Sequence, residues 1–154
     1  MPASYFQRFV NEAVEAYSRD NVVAGRWSAS EAEANSRAEL ERFLPEGIET
    51  PGHCVCLVQS DASEEAVGTL WYGQMVREQR QIAYVFDLRI YPDFRRRGHA
   101  ASALGEVENF ATLRKLEAIG LHVFSHNAPA LALYGKLGFT PEKGLMFKRL
   151  AHAV

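Results

Sequence analysis

The turn at residues 95–100, with the sequence Arg-Arg-Arg-Gly-His-Ala, is the feature of this chain that most constrains its fold. It follows an apolar run at 82–90 that is typical of a strand, and it opens a run from Ala100 to about Lys115 that has helical spacing. A helix that begins after a glycine turn has unpartnered N–H groups in its first turn, and its dipole favours an anion there. With three arginines beside it, this turn predicts a phosphate-binding site between a strand and a helix.

The composition predicts one globular domain over residues 1–154. The formal net charge is −2, so no overall basic field favours a nucleic-acid partner, and any phosphate affinity has to be local. No apolar run approaches the roughly 18–20 residues that span a bilayer, which argues against a membrane partner. Because residues 1–8 also lack the basic start and apolar stretch of a signal peptide, we expect a cytoplasmic protein.

The two cysteines, Cys54 and Cys56, stand in an apolar run at 53–58. Their spacing places both on one face of the strand that this run predicts. A zinc site needs more ligands than the sequence offers at matching spacing, so we expect no metal. A disulfide scaffold is excluded by the number of cysteines, and we expect two small buried or half-buried thiols.

Hydrophobic periodicity predicts an α/β fold with a mixed, mostly antiparallel sheet and helices on both faces. Polar turns separate the first three predicted strands, which favours antiparallel hairpins. A helical crossover between the strand at 81–91 and the strand at 119–124 implies one parallel pair. The predicted helices are 4–20, a second from Ser28 or Ser30 to Phe43, 98–117, and one from Asn127 or Ala128 to Gly138; the predicted strands are 53–59, 66–76, 81–91, 119–124 and a closing hairpin within 139–150.

Two segments together resemble the GNAT superfamily of N-acetyltransferases. The turn at 95–100 fits the family signature Q/R-x-x-G-x-G/A, and residues 127–139 fit N-x-x-A-x-x-L-Y-x-K-x-G-F at every marked position. The resemblance implies the GNAT fold, in which the two parallel strands splay apart. It implies a single GNAT domain over 1–154, with an acetyl-CoA-binding core at 53–150 and a helical acceptor-side segment at 1–50. No predicted strand precedes the first helix, which departs from the usual start of the family.

The resemblance implies acetyl-CoA as cosubstrate, without a metal. Backbone groups of one strand would pair with the pantetheine arm, and the turn would wrap the pyrophosphate with its N–H groups. In the 127–139 segment, Asn127 would contact the cofactor or a bridging water, and Tyr134 would lie beside the thioester. The implied cofactor-binding residues are Leu88, Arg89, Ile90, Arg95, Arg96, Arg97, Gly98, His99, Ala100, Asn127 and Tyr134.

By the same resemblance, the reaction would be acetyl transfer to a primary amine by direct attack in a ternary complex. Tyr134 stands at the family's general-acid position, and a phenol of pKa about 10 remains protonated at neutral pH. The general base is not marked by any motif; Asp87 is a candidate, ahead of His53, His99 and His122. Neither cysteine lies in the matched segments, so a covalent acyl-enzyme is not indicated.

Other interpretations remain open on the sequence alone. The chain could be a non-catalytic CoA-binding sensor or interaction module, in which Tyr134 only packs on the sheet. The arginine turn could serve a nucleotide, although its glycine spacing is not that of a P-loop. Asn127 could be only a helix N-cap, a role compatible with cofactor contact. The acceptor, a small-molecule or peptide amine, and a possible homodimer are not specified by any pattern.

Overall fold

A computed structural model describes residues 1–151 of the chain. Every helix and strand that the sequence predicts is present, although the ends of these elements differ from the prediction. They are α1 Ala3–Val23, α2 Ala32–Phe43, β1 His53–Gln59, β2 Ala66–Arg77, β3 Arg80–Ile90, α3 His99–Leu113, β4 Ala118–Leu121, α4 Ala128–Lys136, β5 Thr140–Glu142 and β6 Leu145–Arg149. Of the helices within residues 1–151, none is long and apolar enough to cross a membrane.

The chain divides into two compact units, one of residues 1–53 and one that begins at Cys54. In the first unit α1 packs against α2, and Phe9 and Val14 of α1 are buried. Ser36 of α2 is also buried, and its hydroxyl donates a hydrogen bond of 3.0 Å to the carbonyl oxygen of Val14. That bond offsets the cost of burying a polar side chain in an otherwise apolar contact.

The second helix begins later than its sequence signal indicates. The carboxylate of Glu31 accepts a 3.3 Å hydrogen bond from the backbone N–H of Ser28, which is one half of a capping box. The hydroxyl of Ser28 contacts the hydroxyl of Ser30 at 3.2 Å, and α2 starts only at Ala32. Residues 29–31 therefore form a turn that precedes the helix.

The second unit holds a six-stranded sheet in the order β1-β2-β3-β4-β6-β5. Strands β3 and β4 pair in parallel, with registers running from Ile82 opposite Ala118 to Val85 opposite Leu121. The pairs β2–β3, β4–β6 and β5–β6 are antiparallel. The predicted mixed sheet with one parallel pair is therefore confirmed, and α3 supplies the crossover between the parallel strands.

Helices α3 and α4 pack on the same face of this sheet. Val107 and Ala111 of α3 are fully buried in one cluster with Ala83 and Leu121 of the sheet. Side chains of α4 pack against the same cluster. Burial of the larger side chains of this kind contributes about 1.5–3 kcal/mol each, and this holds the two helices against the sheet.

Two elements end earlier than predicted. Helix α3 stops at Leu113 and not at residue 117, because Lys115 adopts a left-handed conformation with φ of 56° and turns the chain toward β4. Strand β4 stops at Leu121 and not at residue 124, because Leu121 is the last residue paired to both Val85 of β3 and Met146 of β6. Within the described part of the chain, the second difference leaves part of β3 without a paired strand on its β4 side.

Candidate active site

A gap between β3 and β4 is the central feature of the second unit. The parallel pairing ends at Val85 and Leu121, but β3 continues to Ile90, paired on its other side with β2. Within residues 1–151, no strand pairs with the β4-facing edge of β3 over residues 86–90. That edge offers backbone N–H and C=O groups that an extended amide-bearing chain can use as another strand would.

A β-bulge bends β3 where the gap opens. Trp71 of β2 lies opposite Asp87, whereas the next residue, Tyr72, lies opposite Val85, so Phe86 is an extra residue on β3. A bulge of this kind increases local twist and redirects the strand. The sequence contains no glycine or proline here that signals it, and the bulge was not predicted.

The predicted phosphate turn lies directly beyond the end of β3. Gly98 has a left-handed conformation with φ of 83° and is the N-cap of α3, and Arg96 also has a positive φ of 62°. Among the described residues no side chain caps α3, so its first N–H groups keep their capacity for an anion. The Nε of Arg95 donates a 3.0 Å hydrogen bond to the carbonyl oxygen of Ile90, which ties the turn to the end of β3.

A cavity of about 230 Å³ opens beside this turn. One wall is the β1–β2 turn with Ser60 and Asp61, and the other is the start of α3 with Arg97, His99 and Ser102. The lining mixes both signs of charge with hydroxyl groups. The cavity thus offers polar contacts to whatever is attached to an anion held by the turn.

Tyr134 of α4 packs against the core of the sheet, with its ring 5.7 Å from that of Phe139. Burial raises the pKa of Tyr134 above the usual value for a phenol, and the negative charge of Asp87 raises the pKa further. The phenol therefore keeps its proton at neutral pH. Asp87, 47 positions earlier in the sequence, therefore lies within electrostatic range of the Tyr134 phenol.

Asp87 forms an ion pair with Arg89 on the same strand. The Oδ2 of Asp87 lies 3.0 Å from an Nη of Arg89, and only 24% of the Asp87 side chain and 18% of the Arg89 side chain are exposed. This pair fixes the direction of the carboxylate at the point where β3 leaves β4. Because the two side chains pair, Asp87 lies on the face opposite to Leu88, whose side chain packs on the core beneath α3.

Asn127 is the N-cap of α4, as the sequence allows. Its Oδ1 accepts a 3.3 Å hydrogen bond from the backbone N–H of Ala130, and its own N–H donates to the carbonyl oxygen of Phe124 at 2.9 Å. Residues 122–127 connect the end of β4 to α4, so Asn127 follows the loop that leaves the gap.

The structure adds aromatic residues that the sequence did not single out as a group. The rings of Trp71 and Phe86 stack with centroids 4.5 Å apart, and Tyr84 meets Phe86 edge to face at 4.9 Å. We call these three residues the aromatic cluster. The cluster stands on β2 and β3 next to Asp87, and its Trp71 is buried beneath the ring of Phe86. The alternation of Tyr84 and Phe86 along β3 is a sequence signal for their common face, but their meeting with Trp71 depends on the bulge.

Comparison with known proteins places this arrangement among acetyltransferases. Residues 10–139 match the model of the Acetyltransferase (GNAT) family. The chain is 29% identical over 150 residues to YycN of Bacillus subtilis strain 168, named an uncharacterized N-acetyltransferase, with 97% of this chain and 96% of YycN covered. It is 30% identical over 151 residues to YdgE of the same organism, also named an uncharacterized N-acetyltransferase, with 97% and 95% covered.

Solved structures agree with this match. The crystal structure of YycN superposes with a TM-score of 0.85 and covers 99% of this chain and 96% of YycN. The PaiA N-acetyltransferase of Thermoplasma acidophilum, solved in complex with coenzyme A, has a TM-score of 0.68 at 16% identity, with 97% of this chain and 96% of PaiA covered. At that identity, the likeness to PaiA concerns the fold.

Proposed function

Since this chain belongs to the GNAT family of acetyltransferases, we propose that it transfers the acetyl group of acetyl-CoA to a primary amine by direct attack in a ternary complex. The observation that carries the proposal is the gap between β3 and β4, which leads from the unpaired edge of residues 86–90 to the phosphate turn. An extended, amide-bearing thiol ester with a pyrophosphate at its far end matches both parts.

The cofactor would lie along β3. Backbone groups of Leu88, Arg89 and Ile90 would pair with the amides of pantetheine, and the N–H groups that open α3 would hold the pyrophosphate. Each charge-assisted hydrogen bond of this kind contributes about 1.5–3 kcal/mol. Arg96, Arg97, His99 and Ala100 complete the turn, and Arg95 acts through its bond to Ile90. Asn127 would contact the cofactor from the start of α4 while its side chain caps that helix.

The chemistry requires a neutral amine, an acceptor for its proton and a donor for the leaving thiolate. We assign the last role to Tyr134, whose raised pKa keeps the phenol protonated. Asp87 would orient the incoming amine and accept its proton, because its carboxylate lies close enough to influence Tyr134. As the tetrahedral intermediate collapses, the C–S bond breaks and the sulfur accepts the Tyr134 proton.

The acceptor would be a small-molecule or peptide amine. We assign acceptor preference to residues 1–50 and the acetyl-CoA core to residues 53–150 of one GNAT domain. The negative charge of Asp87 supports an acceptor that arrives as a cation, because a carboxylate favours the charged form of a nearby amine.

Release of free CoA thiol from acetyl-CoA tests the proposal. The full chain is incubated with acetyl-CoA and a panel of amines, amino acids, amino sugars and peptides, and the acetylated product is identified by mass. We expect amine-dependent thiol release with at least one class. Binding of acetyl-CoA without turnover across the panel would instead favour a non-catalytic CoA-binding module.

A further inference from the structure

Two side chains of opposite charge stand on the part of β3 that borders the gap, and the reaction proposed above uses only one of them. Asp87 and Arg89 are alternate residues of this strand, so their side chains point to the same face of the sheet. Their register partners on β2 are Trp71 and Thr69, which are 5% and 2% exposed. The charged pair therefore lies beside buried residues, where charges are screened less than at an open surface.

The two charges contact each other, and a ligand can still reach both of them. An Nη of Arg89 donates a 3.0 Å hydrogen bond to Oδ2 of Asp87, and 18% and 24% of the two side chains remain exposed. One such bond uses only a fraction of what the groups offer, since a guanidinium has five N–H donors and a carboxylate has about four acceptor sites. The pair can therefore bind a ligand without coming apart.

An acceptor that carries only an amine would disturb this pair. Its ammonium group would compete with Arg89 for the carboxylate of Asp87. When one partner of a poorly exposed ion pair is lost, the other charge is left uncompensated, which is strongly unfavourable. An acceptor that also carries a carboxylate avoids this cost, because its negative charge pairs with Arg89 while its ammonium group pairs with Asp87.

The short distance within the pair limits how far apart the two charges of the acceptor can be. Protein groups only 3.0 Å apart are matched by a ligand whose ammonium and carboxylate groups are attached to the same carbon. We propose that the acceptor is an α-amino acid with a free carboxylate and that Arg89 selects it, an inference that rests on the acetyl transfer proposed above. Arginine suits this role, because its planar fork binds a carboxylate through two parallel hydrogen bonds.

The side chain of Arg89 does not compete with the cofactor. Side chains of a strand stand roughly perpendicular to the sheet, whereas the backbone groups assigned to pantetheine point along the sheet toward the gap. With the pyrophosphate at the turn beyond Ile90, the acyl end of the cofactor lies toward the bulge at Phe86, at the level of Asp87. An amine held by Asp87 is thus placed next to the thioester.

The transfer balances with this acceptor. The ammonium group loses one proton to Asp87, and the neutral amine attacks the thioester carbonyl. As the C–S bond breaks, the nitrogen loses a second proton to solvent and the sulfur takes the proton of Tyr134. Once solvent has restored Asp87 and Tyr134, the products are an N-acetyl amino acid, free CoA and one proton.

A matched series of acceptors tests the inference on the full wild-type chain. Alanine, leucine, methionine and phenylalanine are each compared with the corresponding amide and the corresponding decarboxylated amine, so that only the carboxyl end changes. We expect kcat/KM for at least one amino acid to exceed that for its amide and its amine by about 10–100-fold, the scale of one hydrogen-bonded charge pair.

Variants of Arg89 test its part in this selection, and the ratio of kcat/KM between acid and amine removes the intrinsic reactivity of each acceptor. Arg89→Met should lower that ratio by about 10–100-fold, mainly through the KM of the amino acid. Arg89→Lys should lower it less, because lysine keeps the charge and lacks the fork. Arg149→Met is the matched control, since Arg149 lies opposite Ala118 at the other end of β4 and 77% of its side chain is exposed. The control should keep the wild-type ratio.

Several results would overturn the inference. They are equal kcat/KM for acid, amide and amine in every series, turnover of amines without turnover of amino acids, or an unchanged ratio in Arg89→Met. Circular dichroism and acetyl-CoA affinity show whether each variant is folded, and if Arg89→Met is not, the wild-type series and Arg89→Lys decide. Failure of acetyl transfer itself looks different, because then no acceptor of any kind releases CoA although acetyl-CoA binds, and both proposals fall.

Discussion

Tyr134 allows the most specific prediction for a single residue, because its ring packs among apolar side chains and its hydroxyl is its only polar group. Replacing it with phenylalanine keeps the ring that packs beside Phe139 and removes only the hydroxyl. We expect Tyr134→Phe to lower kcat by about 10²-fold, the usual scale of general acid catalysis, and to leave the Kd for acetyl-CoA unchanged. Thiol release and calorimetric titration measure the two quantities.

Tyr72→Phe is a matched control, because Tyr72 is also a partly buried phenol packed on the same core but lies on β2 beside the cysteines. The kcat of Tyr72→Phe should stay within about a factor of two of the wild-type value. The reason is that Tyr72 lies away from the residues assigned to the chemistry, and substitutions at such positions usually have small effects. An undiminished kcat in Tyr134→Phe would remove Tyr134 from the mechanism.

The influence of Asp87 on Tyr134 gives a pH prediction. A nearby negative charge disfavours the phenolate, so the Tyr134 pKa lies above its ordinary value, and the phenol stays protonated to higher pH. Asp87→Asn removes one of the two causes and leaves burial, so the Tyr134 pKa should fall relative to wild type. Tyrosinate absorbance, measured as the difference between each protein and its Tyr134→Phe counterpart, follows this group alone. An unchanged or higher pKa in the variant would separate the two residues.

Sequence reasoning succeeded best at residues whose role is local. The glycine turn before α3 and the cap at Asn127 follow from short-range chemistry, and both are present. The electrostatic influence of Asp87 on Tyr134 arises from the fold of distant segments, and no spacing rule could have specified it. The stack of Trp71 on Phe86 likewise depends on a bulge without a sequence signal.

At the scale of elements, the start of α3 depends on the backbone conformation of one residue. A Cβ at Gly98 would meet no atom within 4 Å, but its φ of 83° is unfavourable for other residues. Gly98→Ala should therefore cost about 1–2 kcal/mol and weaken acetyl-CoA binding by about tenfold, without any steric clash. Thermal unfolding and calorimetric titration provide the measurements.

Gly105→Ala is the matched control for that variant. Gly105 lies inside α3, and a Cβ there also meets nothing within 4 Å, but no positive φ is needed. Alanine in a helix interior should stabilise the protein by about 0.5–1 kcal/mol and leave the affinity for acetyl-CoA unchanged. If both alanine variants bound acetyl-CoA like wild type, the turn would not hold the cofactor.

Strand β2 sets the position of the β3 edge through another glycine. A Cβ built on Gly68 would lie 2.1 Å from the carbonyl oxygen of Arg89 and 3.0 Å from the Cα of Ile90. Gly68→Ala must therefore displace the part of β3 that we assign to pantetheine. We expect a loss of about 1–3 kcal/mol in the free energy of unfolding and weaker acetyl-CoA binding. Gly135→Ala on α4, where a Cβ meets nothing, is the control that should keep the affinity.

Element boundaries mark the limit of sequence reasoning at this scale. The run at 119–124 is apolar throughout most of its length, which favours a strand, but pairing ends at Leu121. Hydrophobic periodicity indicates which residues are suited to a strand. It does not indicate where the pairing with a neighbouring strand ends. The early end of β4 is decided by the separation of the partner strands, and it creates the gap.

At the scale of the whole molecule, the mixed sheet followed from the order of predicted elements. Hairpin turns and one helical crossover leave few arrangements, and the observed order β1-β2-β3-β4-β6-β5 is one of them. The net charge of −2 also indicated that any phosphate affinity has to be local, and the structure exposes the three arginines of the turn at the start of α3.

A ligand that binds only the folded chain should raise its stability. At a concentration of about 100 times the Kd, acetyl-CoA should add about 2.7 kcal/mol to the free energy of unfolding. The Tm should rise with acetyl-CoA and with CoA, and to a lesser extent with pantetheine, which lacks the phosphates for the turn. An equal rise with ATP at the same concentration would contradict the assignment of the β3 edge to the pantetheine arm.

The gap has a further consequence for the fate of the protein without ligand. Unpaired strand edges invite association between molecules, and proteins commonly guard them with charge, bulges or short length. The edge at residues 86–90 lies in the middle of a sheet, next to a bulge, and carries the paired charges of Asp87 and Arg89. An edge interrupted within a sheet is therefore better guarded against a second sheet than an edge on the outside would be. We therefore expect the interruption that we assign to acetyl-CoA to resist aggregation through this edge when no ligand is bound.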